Sequence, residues 1–331
     1  MPDYQPPFTI TSKILKQVAV ISEKVGRLSV QAETEQALRL RRINRIRTIQ
    51  GSLAIEGNTL SQQQITAILE GKRVIAPPRE IQEVQNATLA YNYLSHWQAH
   101  NEQDLLAAHR TLMTSLIEDA GHYRQGGVGV MSGDQVLHMA PPAGRVSVLM
   151  MQLLEWLKNT DEHPLVASSI FHYEFEFIHP FADGNGRMGR LWQTLILSQW
   201  NPLFASIPVE SLVHQHQADY YAALQVSTDQ TDSAPMIEFM LQMVASAIDS
   251  LATPQVTPQL TPQVKQLLTI IKGEMTRAEL QNLLDLSDRK SFRERYIVPA
   301  LQAGLIEMTI PDKPSSRLQK YRLTNNGQLM T

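Results

Sequence analysis

Near the start of the chain, apolar residues return every three or four positions: Ile14, Val18, Ile21, Val25 and Leu28. That spacing places them on one face of a helix. Leu40, Ile43 and Ile46 continue the period and are expected to pack inward, leaving the five arginines between Arg39 and Arg47 on a solvated face. Ser61 and Gln64 have the spacing of a capping box, and Pro77-Pro78 mark the start of a helix carrying Ile81, Val84 and Tyr91. Leu105, Leu112 and Leu116 form another stripe, closed by Gly121. There the period changes. Val128 and Val130, then Val136 and Leu137, flank Ser132-Gly133-Asp134, which reads as a short hairpin, and helical spacing resumes at Val146. Trp156, Trp192 and Trp200 fall inside helical patterns and read as core.

A three-fold repeat of period four, Thr253-Pro254-Gln255-Val256, Thr257-Pro258-Gln259-Leu260 and Thr261-Pro262-Gln263-Val264, ends this region. Prolines so spaced disfavour helix, so 251–262 reads as an extended linker. Beyond it Val264, Leu267, Leu268 and Ile271 form a helix face, Thr276 and Glu279 a capping box, and Ser287 caps a third helix through Phe292 and Tyr296. Two strands, Leu305 to Ile310 and Leu318 to Leu323, flank Pro311-Asp312-Lys313-Pro314-Ser315-Ser316. Three helices followed by two strands and their loop look like a winged helix-turn-helix over 263–331. Eight basic and three acidic residues lie between 289 and 322. DNA is therefore one partner for this module, less favoured than a protein target or packing within the chain.

Composition narrows the classes. With 331 residues, 43% hydrophobic and 18% charged, and a formal charge of -3, the chain reads as an ordinary globular protein of roughly two domains. Zero cysteine excludes disulfides, thiolate metal sites and cysteine nucleophiles, and fits a cytoplasmic location. The start, Met-Pro-Asp-Tyr-Gln-Pro-Pro, has no basic region before an apolar stretch, so neither secretion nor membrane insertion is expected.

Candidate chemistry concentrates in His179-Pro180-Phe181-Ala182-Asp183-Gly184-Asn185-Gly186-Arg187-Met188-Gly189-Arg190, a turn opening onto a helix. Gly184 and Gly186 leave the backbone open, so successive N–H groups can meet an anion at a helix N-terminus. Arg187 and Arg190, three apart, can reach the same side and clamp further phosphate oxygens, which suggests a di- or triphosphate. Asp183 supplies one hard oxygen, suited to Mg2+ bridging phosphates and not to an all-protein cage. His179 then remains as a base, of the side-chain type that titrates near neutrality. Two rivals are weaker. Gly184 to Gly189 satisfies G-x-G-x-x-G with Glu210 about twenty residues on, as a dinucleotide oxidoreductase needs, but Glu174, Glu176 and Pro180 do not suit a central parallel strand. His172, Glu176 and His179 have metal-ligand spacing on a helix, yet Pro180 ends that helix and ordinary hydrogen-bonded histidines explain the residues.

The segment resembles the Fic family motif, H-P-F-x-D-G-N-G-R-x-x-R, matching at every fixed position. The resemblance covers roughly residues 1 to 250 and implies a mainly α fold: an N-terminal helical region over 1–100, then a Fic core over 101–250 with a small β-hairpin flap. It implies AMP transfer from ATP to a Tyr, Ser or Thr hydroxyl of a protein, itself included. In that case His179 deprotonates the hydroxyl, Asp183 holds Mg2+, and Gly184, Asn185, Gly186, Arg187, Met188, Gly189 and Arg190 surround the phosphates. Gly121-His122-Tyr123-Arg124, the hairpin and Pro141-Pro142 resemble the flap, with Val130, Met131, Val136, Leu137 and His138 as target-docking positions. Asp219-Tyr220-Tyr221 resembles a segment near the adenine, which makes Tyr220 a nucleotide contact, with core packing the equal alternative and Ser227 the nearest further polar group.

An inhibitory pattern of the family, [ST]-x-x-x-E-[GN], occurs at Ser52 to Gly57 and at Thr66 to Gly71. The longer run Ile55-Glu56-Gly57-Asn58 favours the first, on a helix over about 48–58, with Glu56 taking Arg190 from a phosphate and Glu70 a solvated helix-end carboxylate. The alternative function is a nucleotide-sensing DNA-binding regulator. The target, the oligomeric state (a homo-oligomer among the options) and AMP removal, for which Glu56 would orient a water, stay open.

Overall fold

The computed structural model describes residues 4–31, 35–132, 135–252, 261–286, 288–310, 316, 318–324 and 327. They fall into two compact units, 1–252 and 253–331. In the first, α1 (Ser12–Gln31) and α2 (Glu35–Ile55) are followed by α3 (Gln62–Leu69), α4 (Pro78–Tyr93) and α5 (Glu102–Met113). A two-stranded antiparallel ribbon follows, β1 (Gly129–Ser132) and β2 (Gln135–Met139), pairing Gly129 with Met139 and Val130 with His138. Then come α6 (Val146–Asn159), α7 (Pro164–Ile178), α8 (Asn185–Trp200), α9 (Val209–Gln215), α10 (Gln217–Gln230) and α11 (Ala234–Ala252). Among the described residues no helix is long and apolar enough to cross a membrane.

The middle of this unit is α7 against α8. Both are buried nearly all round, including Ser168, Ser169, His172, Glu174 and Glu176 on α7 and Asn185, Arg187 and Arg190 on α8. A helix buried on every side belongs at the centre of a fold, and its polar residues need internal partners. The remaining helices wrap this pair, with α1 along α11 and α2 along α9. At that second crossing Gly51 is indispensable, because a Cβ there would lie 2.6 Å from the Ser211 amide nitrogen. The close approach sets the depth at which the next residue, Ser52, meets α8.

Several sequence readings change. Ile43 is 37% exposed while Ile46 and Ile49 are buried. At about 100° per residue, Ile43 stands about 120° round from Ile49 and so leaves the inward face. Arg45 instead faces inward, its guanidinium 5.9 Å from the Tyr91 ring centroid, so the arginine cluster is not wholly solvated. Leu116 lies beyond the end of α5, in a turn. The capping box at Ser61 and Gln64 is present. Gly133 and Asp134 lie outside the described residues, as do Thr253–Leu260 of the repeat; Thr261 caps the helix that Pro262 begins.

The second unit has its own core of Val264, Leu267, Leu268, Ile271, Leu280, Phe292, Ile297, Ala300, Leu305, Ile306 and Tyr321. Its elements are α12 (Pro262–Ile270), β3 (Met275–Thr276), α13 (Arg277–Leu283), α14 (Arg289–Phe292), a π-helical turn at Arg293–Ile297 leading into α15 (Val298–Gln302), β4 (Ile306–Met308) and β5 (Lys320–Leu323). The antiparallel sheet has the order β3-β5-β4. This is a winged helix-turn-helix with one strand, β3, that two residues were too few to signal. Thr276 and Glu279 form the expected box. Asp288 caps α14, accepting from the Lys290 and Ser291 amides; Ser287, the expected cap, and Pro311–Ser315 lie outside the described residues.

Candidate functional site

The site grows from the end of α7 and the start of α8. Pro180 stops α7, and His179 takes its C-cap in the left-handed region at φ 49°. The carbonyls freed at a helix end need donors, and one buried cation supplies them. Arg124 donates to the Ile178 carbonyl at 3.2 Å and the His179 carbonyl at 2.7 Å, and also to the Gly126 and Pro141 carbonyls at either base of the β-ribbon. The residue after α7 is thereby fixed to the flanks of the ribbon. The His179 side chain remains 18% exposed, with Nδ1 3.4 Å from the Glu176 carbonyl and 3.9 Å from a carboxylate oxygen of Glu176.

Between the helices the turn is held from within. Asn185 accepts from the Phe181 amide and donates to its carbonyl, which spends its side chain on the turn and leaves only its backbone for a ligand. His109, a residue missed as functional, holds the same turn from outside. Its Nδ1 accepts from the Gly121 amide, so the proton sits on Nε2, which donates to the Asp183 carbonyl at 3.0 Å. The ring stacks on Phe181 at 3.6 Å between centroids, and burial pushes its pKa down to about 4. A neutral imidazole serves that geometry. The signal was available: Leu105, His109 and Leu112 share one stripe of α5, all buried.

Gly184, at φ 83°, opens α8 with no side-chain cap, and the first N–H groups of a helix are where an anion is favoured. Gly186 lies against the Glu56 carboxylate so closely that a Cβ would collide with Oε1. Arg190, 2% exposed, donates to Glu56 Oε1 at 2.6 Å, to the Ser52 carbonyl at 3.0 Å and to the Ser52 hydroxyl at 3.2 Å. Burial alone would lower the Arg190 pKa; the Glu56 carboxylate beside it outweighs burial and holds the group more firmly protonated. Glu56 sits in the turn after α2, not within the helix as expected. Glu70, in contrast, pairs with Lys72 and Arg42 at the end of α3.

Arg187 is buried, with Nη2 3.2 Å from Asp183 Oδ1 and Nη1 3.5 Å from Glu83, while Nε has no partner among the described residues. Asp183 is 42% exposed; it also accepts from the Gly184 amide and lies 3.4 Å from Arg79. Among the described residues no three His, Cys, Asp or Glu side chains gather to hold a metal. A lone carboxylate at the lip fits an ion such as Mg2+, which keeps waters and takes phosphate oxygens.

Other expected residues separate from this cluster. Met188 is buried core, and Gly189 packs against His172 and Glu176. His172 bonds the Tyr220 hydroxyl at 2.9 Å, with burial pushing its pKa down to about 4; both rings are buried. Burial pushes Glu176 up to about 7, Arg190 opposing and Glu56 reinforcing. Ser227 is buried, and its hydroxyl accepts from the Met236 amide in the first turn of α11. The element before the glycine turn is helix α7, not the strand a dinucleotide fold requires, and Glu210 is buried, accepting from Tyr91 and Thr194. Val130, Met131, Val136, Leu137 and His138 lie on β1 and β2, with side chains outside the described residues.

Comparison with known proteins bears on both units. The model of the Fic/DOC family matches residues 99–197, and that of the Filamentation induced by cAMP protein Fic-like, C-terminal domain, matches 262–324. The crystal structure of a Fic family protein from Desulfovibrio desulfuricans G20 is 53% identical, with a TM-score of 0.73, over 97% of this chain and 99% of that one. Protein adenylyltransferase Fic of Aedes aegypti is 28% identical over 246 residues, 71% of this chain and 47% of its own; that of Culex quinquefasciatus is 30% identical over 215 residues, 62% and 41%. The chain spans less than half the length of these two curated relatives.

Proposed function

Since the chain belongs to the Fic family, we propose that it is a protein adenylyltransferase, moving AMP from ATP to a Tyr, Ser or Thr hydroxyl of a protein and held back by Glu56. The observation that carries the reading is the Glu56 carboxylate on Arg190 at the N-terminus of α8. A carboxylate resting there stands in for a phosphate: it meets the same helix end and the same buried guanidinium. ATP must displace it to seat its outer phosphates.

His179 accepts the proton of the target hydroxyl. The hydroxyl oxygen bonds to the α-phosphorus of ATP, the bond from that phosphorus to the bridging oxygen breaks, and pyrophosphate departs with the bond's electron pair. The α8 amides after Gly184, with Arg187 and Arg190, hold charge on the departing phosphates, so the protein contributes position and neutralisation. Asp183 would hold Mg2+, which supplies charge neutralisation between phosphate oxygens when bound. Tyr220 supports the nucleotide site from beneath, beside Arg190. The ribbon, with Val130, Met131, Val136, Leu137 and His138, receives the target segment as an added strand.

The α-phosphate label decides. Protein incubated with ATP labelled at the α-phosphate should become radioactive, and the γ-labelled nucleotide should leave it blank. Labelling from γ-phosphate means kinase chemistry, and ATP binding with no protein labelling in a lysate favours the nucleotide-sensing regulator. Exposed Arg289, Lys290, Arg293 and Arg295 are the observation for that second reading; Arg322, however, is already paired with Glu307 and Glu274.

A further inference from the structure

Four charged side chains close a ring at the lip of the site. Glu83 Oε1 lies 3.5 Å from Arg187 Nη1, and Arg187 Nη2 lies 3.2 Å from Asp183 Oδ1. Asp183 Oδ2 lies 3.4 Å from Arg79 Nη2, and Arg79 Nε lies 3.5 Å from Glu83 Oε1. Signs alternate around the ring, so its net charge is zero. Its members are unequal in exposure. Arg187 and Glu83 are 5% and 12% exposed, whereas Arg79 and Asp183 are 60% and 42% exposed. Pairs with an exposed member exchange readily with water and add little, while a buried charge left without its partner is heavily penalised. The Glu83–Arg187 pair is thus the fixed side of the ring.

Glu83 is itself anchored. Asn58 donates to Glu83 Oε2 at 2.9 Å and to the Glu80 carbonyl at 3.2 Å, while its own Oδ1 accepts from the Leu60 amide. Asn58 is 8% exposed and has both ends of its amide engaged, so its orientation is determined. It follows Glu56 by two residues. The run Glu56-Gly57-Asn58 therefore reaches both motif arginines, Arg190 directly and Arg187 through Glu83.

We propose that Glu83, anchored by Asn58, is the positioning residue for Arg187: it holds the guanidinium aimed at the phosphate site so that ATP meets it already oriented. The inference rests on the nucleotide reading of the motif. Arg187 has a buried Nε with no partner among the described residues, which is costly unless a ligand supplies an acceptor. Glu83 touches Nη1 alone and leaves that nitrogen open. Were Glu83 a competitor for phosphate, as Glu56 is for Arg190, it would need to swing away; the bond from Asn58 and its burial both oppose that.

The test is a cycle in the Glu56→Gly protein, read first as ATP affinity by calorimetry, which requires no transfer. Glu83→Ala and Arg187→Ala are each expected to weaken ATP binding about tenfold, as loss of one oriented charge-assisted contact does. The double variant should be no weaker than Arg187→Ala, because Glu83 acts through that arginine. Where transfer is measurable, Glu83→Ala should raise KM for ATP and leave kcat within about twofold. Glu83→Gln keeps the side-chain shape and one oxygen for the guanidinium but turns its amide nitrogen toward the Asn58 Nδ2 donor, so it should recover part of the affinity lost in Glu83→Ala; an unchanged thermal unfolding midpoint guards against a folding defect in the alanine variant. Tighter ATP binding by Glu83→Ala, or losses that simply add, would overturn the proposal. If Arg187→Ala leaves ATP affinity unchanged, the nucleotide reading fails instead, and the two failures are told apart.

Discussion

Glu56 and Glu70 are the fifth residues of the same six-residue pattern, and their surroundings differ in every respect that matters to a carboxylate. Glu56 meets a guanidinium that is 2% exposed and lies over Gly186 in the first turn of α8. Glu70 bonds Lys72 at 2.7 Å and Arg42 at 3.4 Å, partners that are 67% and 65% exposed. Lys72 draws the Glu70 pKa below its ordinary value, as a surface pair does. Water can replace either partner of Glu70 at little cost. For Glu56 the replacement is different: Arg190 has no water-facing alternative, so only another anion can take its place. The same short pattern gains a buried partner when its glutamate reaches a buried cation, and only surface partners when it does not.

The largest effect that bears on this contrast is loss of the proposed AMP transfer. In the Glu56→Gly protein, His179→Ala should cut AMP transfer by about a hundredfold or more, the range of a missing general base, while ATP binding persists. Labelling from α-labelled ATP and calorimetry read the two. Transfer at the parent rate would leave Glu56 guarding a site whose chemistry lies elsewhere.

Next comes the latch itself. Glu56→Gly should raise auto- or target labelling severalfold, and Glu70→Gly should stay within about twofold of wild type, as surface substitutions do. Adding Arg190→Ala to Glu56→Gly should cancel the gain, since the freed guanidinium is what the gain uses. Activation by Glu70→Gly, measured in the same labelling assay, would exchange the two roles, and a gain that survives loss of Arg190 would detach Glu56 from it.

The pattern could not separate the two glutamates because it records neighbours in sequence, and the deciding partner stands on α8, over a hundred residues away. What was legible shared a local cause. His179 to Arg190 lie on one turn and one helix start, so spacing alone brings them together, and the helices announced themselves by period. Long-range polar partners carried no such mark. Arg124 on the end of α7 and Glu83 behind Arg187 each need a helix crossing to acquire meaning, and for His109 the α5 stripe marked burial but not its partners. Tyr220 matched a family segment, yet its hydroxyl is committed to His172. Ile43 failed for a simpler reason: a three-residue step falls short of a full helical turn, so the stripe drifts off the buried face.

The smallest effect is electrostatic and reaches the same contrast through a third carboxylate. Glu176 is buried near Arg190, its carboxyl raised to about 7 by burial; Arg190 pulls it down and Glu56 pushes it up. The groups facing it are His172 on α7, His179 at the α7 C-cap with Nδ1 3.9 Å away, Gly189 and Arg190 on α8, Tyr220 on α10 and Glu56 after α2. A folded-state pKa above the unfolded 4.5 means the folded protein binds that proton more tightly. Its contribution to stability is therefore complete below about pH 4.5 and is lost as pH rises through about 7. Glu56→Gly removes the like charge and frees Arg190 from its other carboxylate. Both changes lower the Glu176 pKa, so less stability should be lost between those pH values. Thermal unfolding of wild type, Glu56→Gly and Glu70→Gly across that range measures it, with Glu176→Gln as the variant in which this proton is absent. The expected order is a flatter profile for Glu56→Gly and an unchanged one for Glu70→Gly, because Glu70 lies among solvated charges at the end of α3. Equal flattening by both would mean that Glu56 reaches Glu176 no more strongly than a surface charge does, and the contrast between a buried latch and an exposed pair would lose its electrostatic basis.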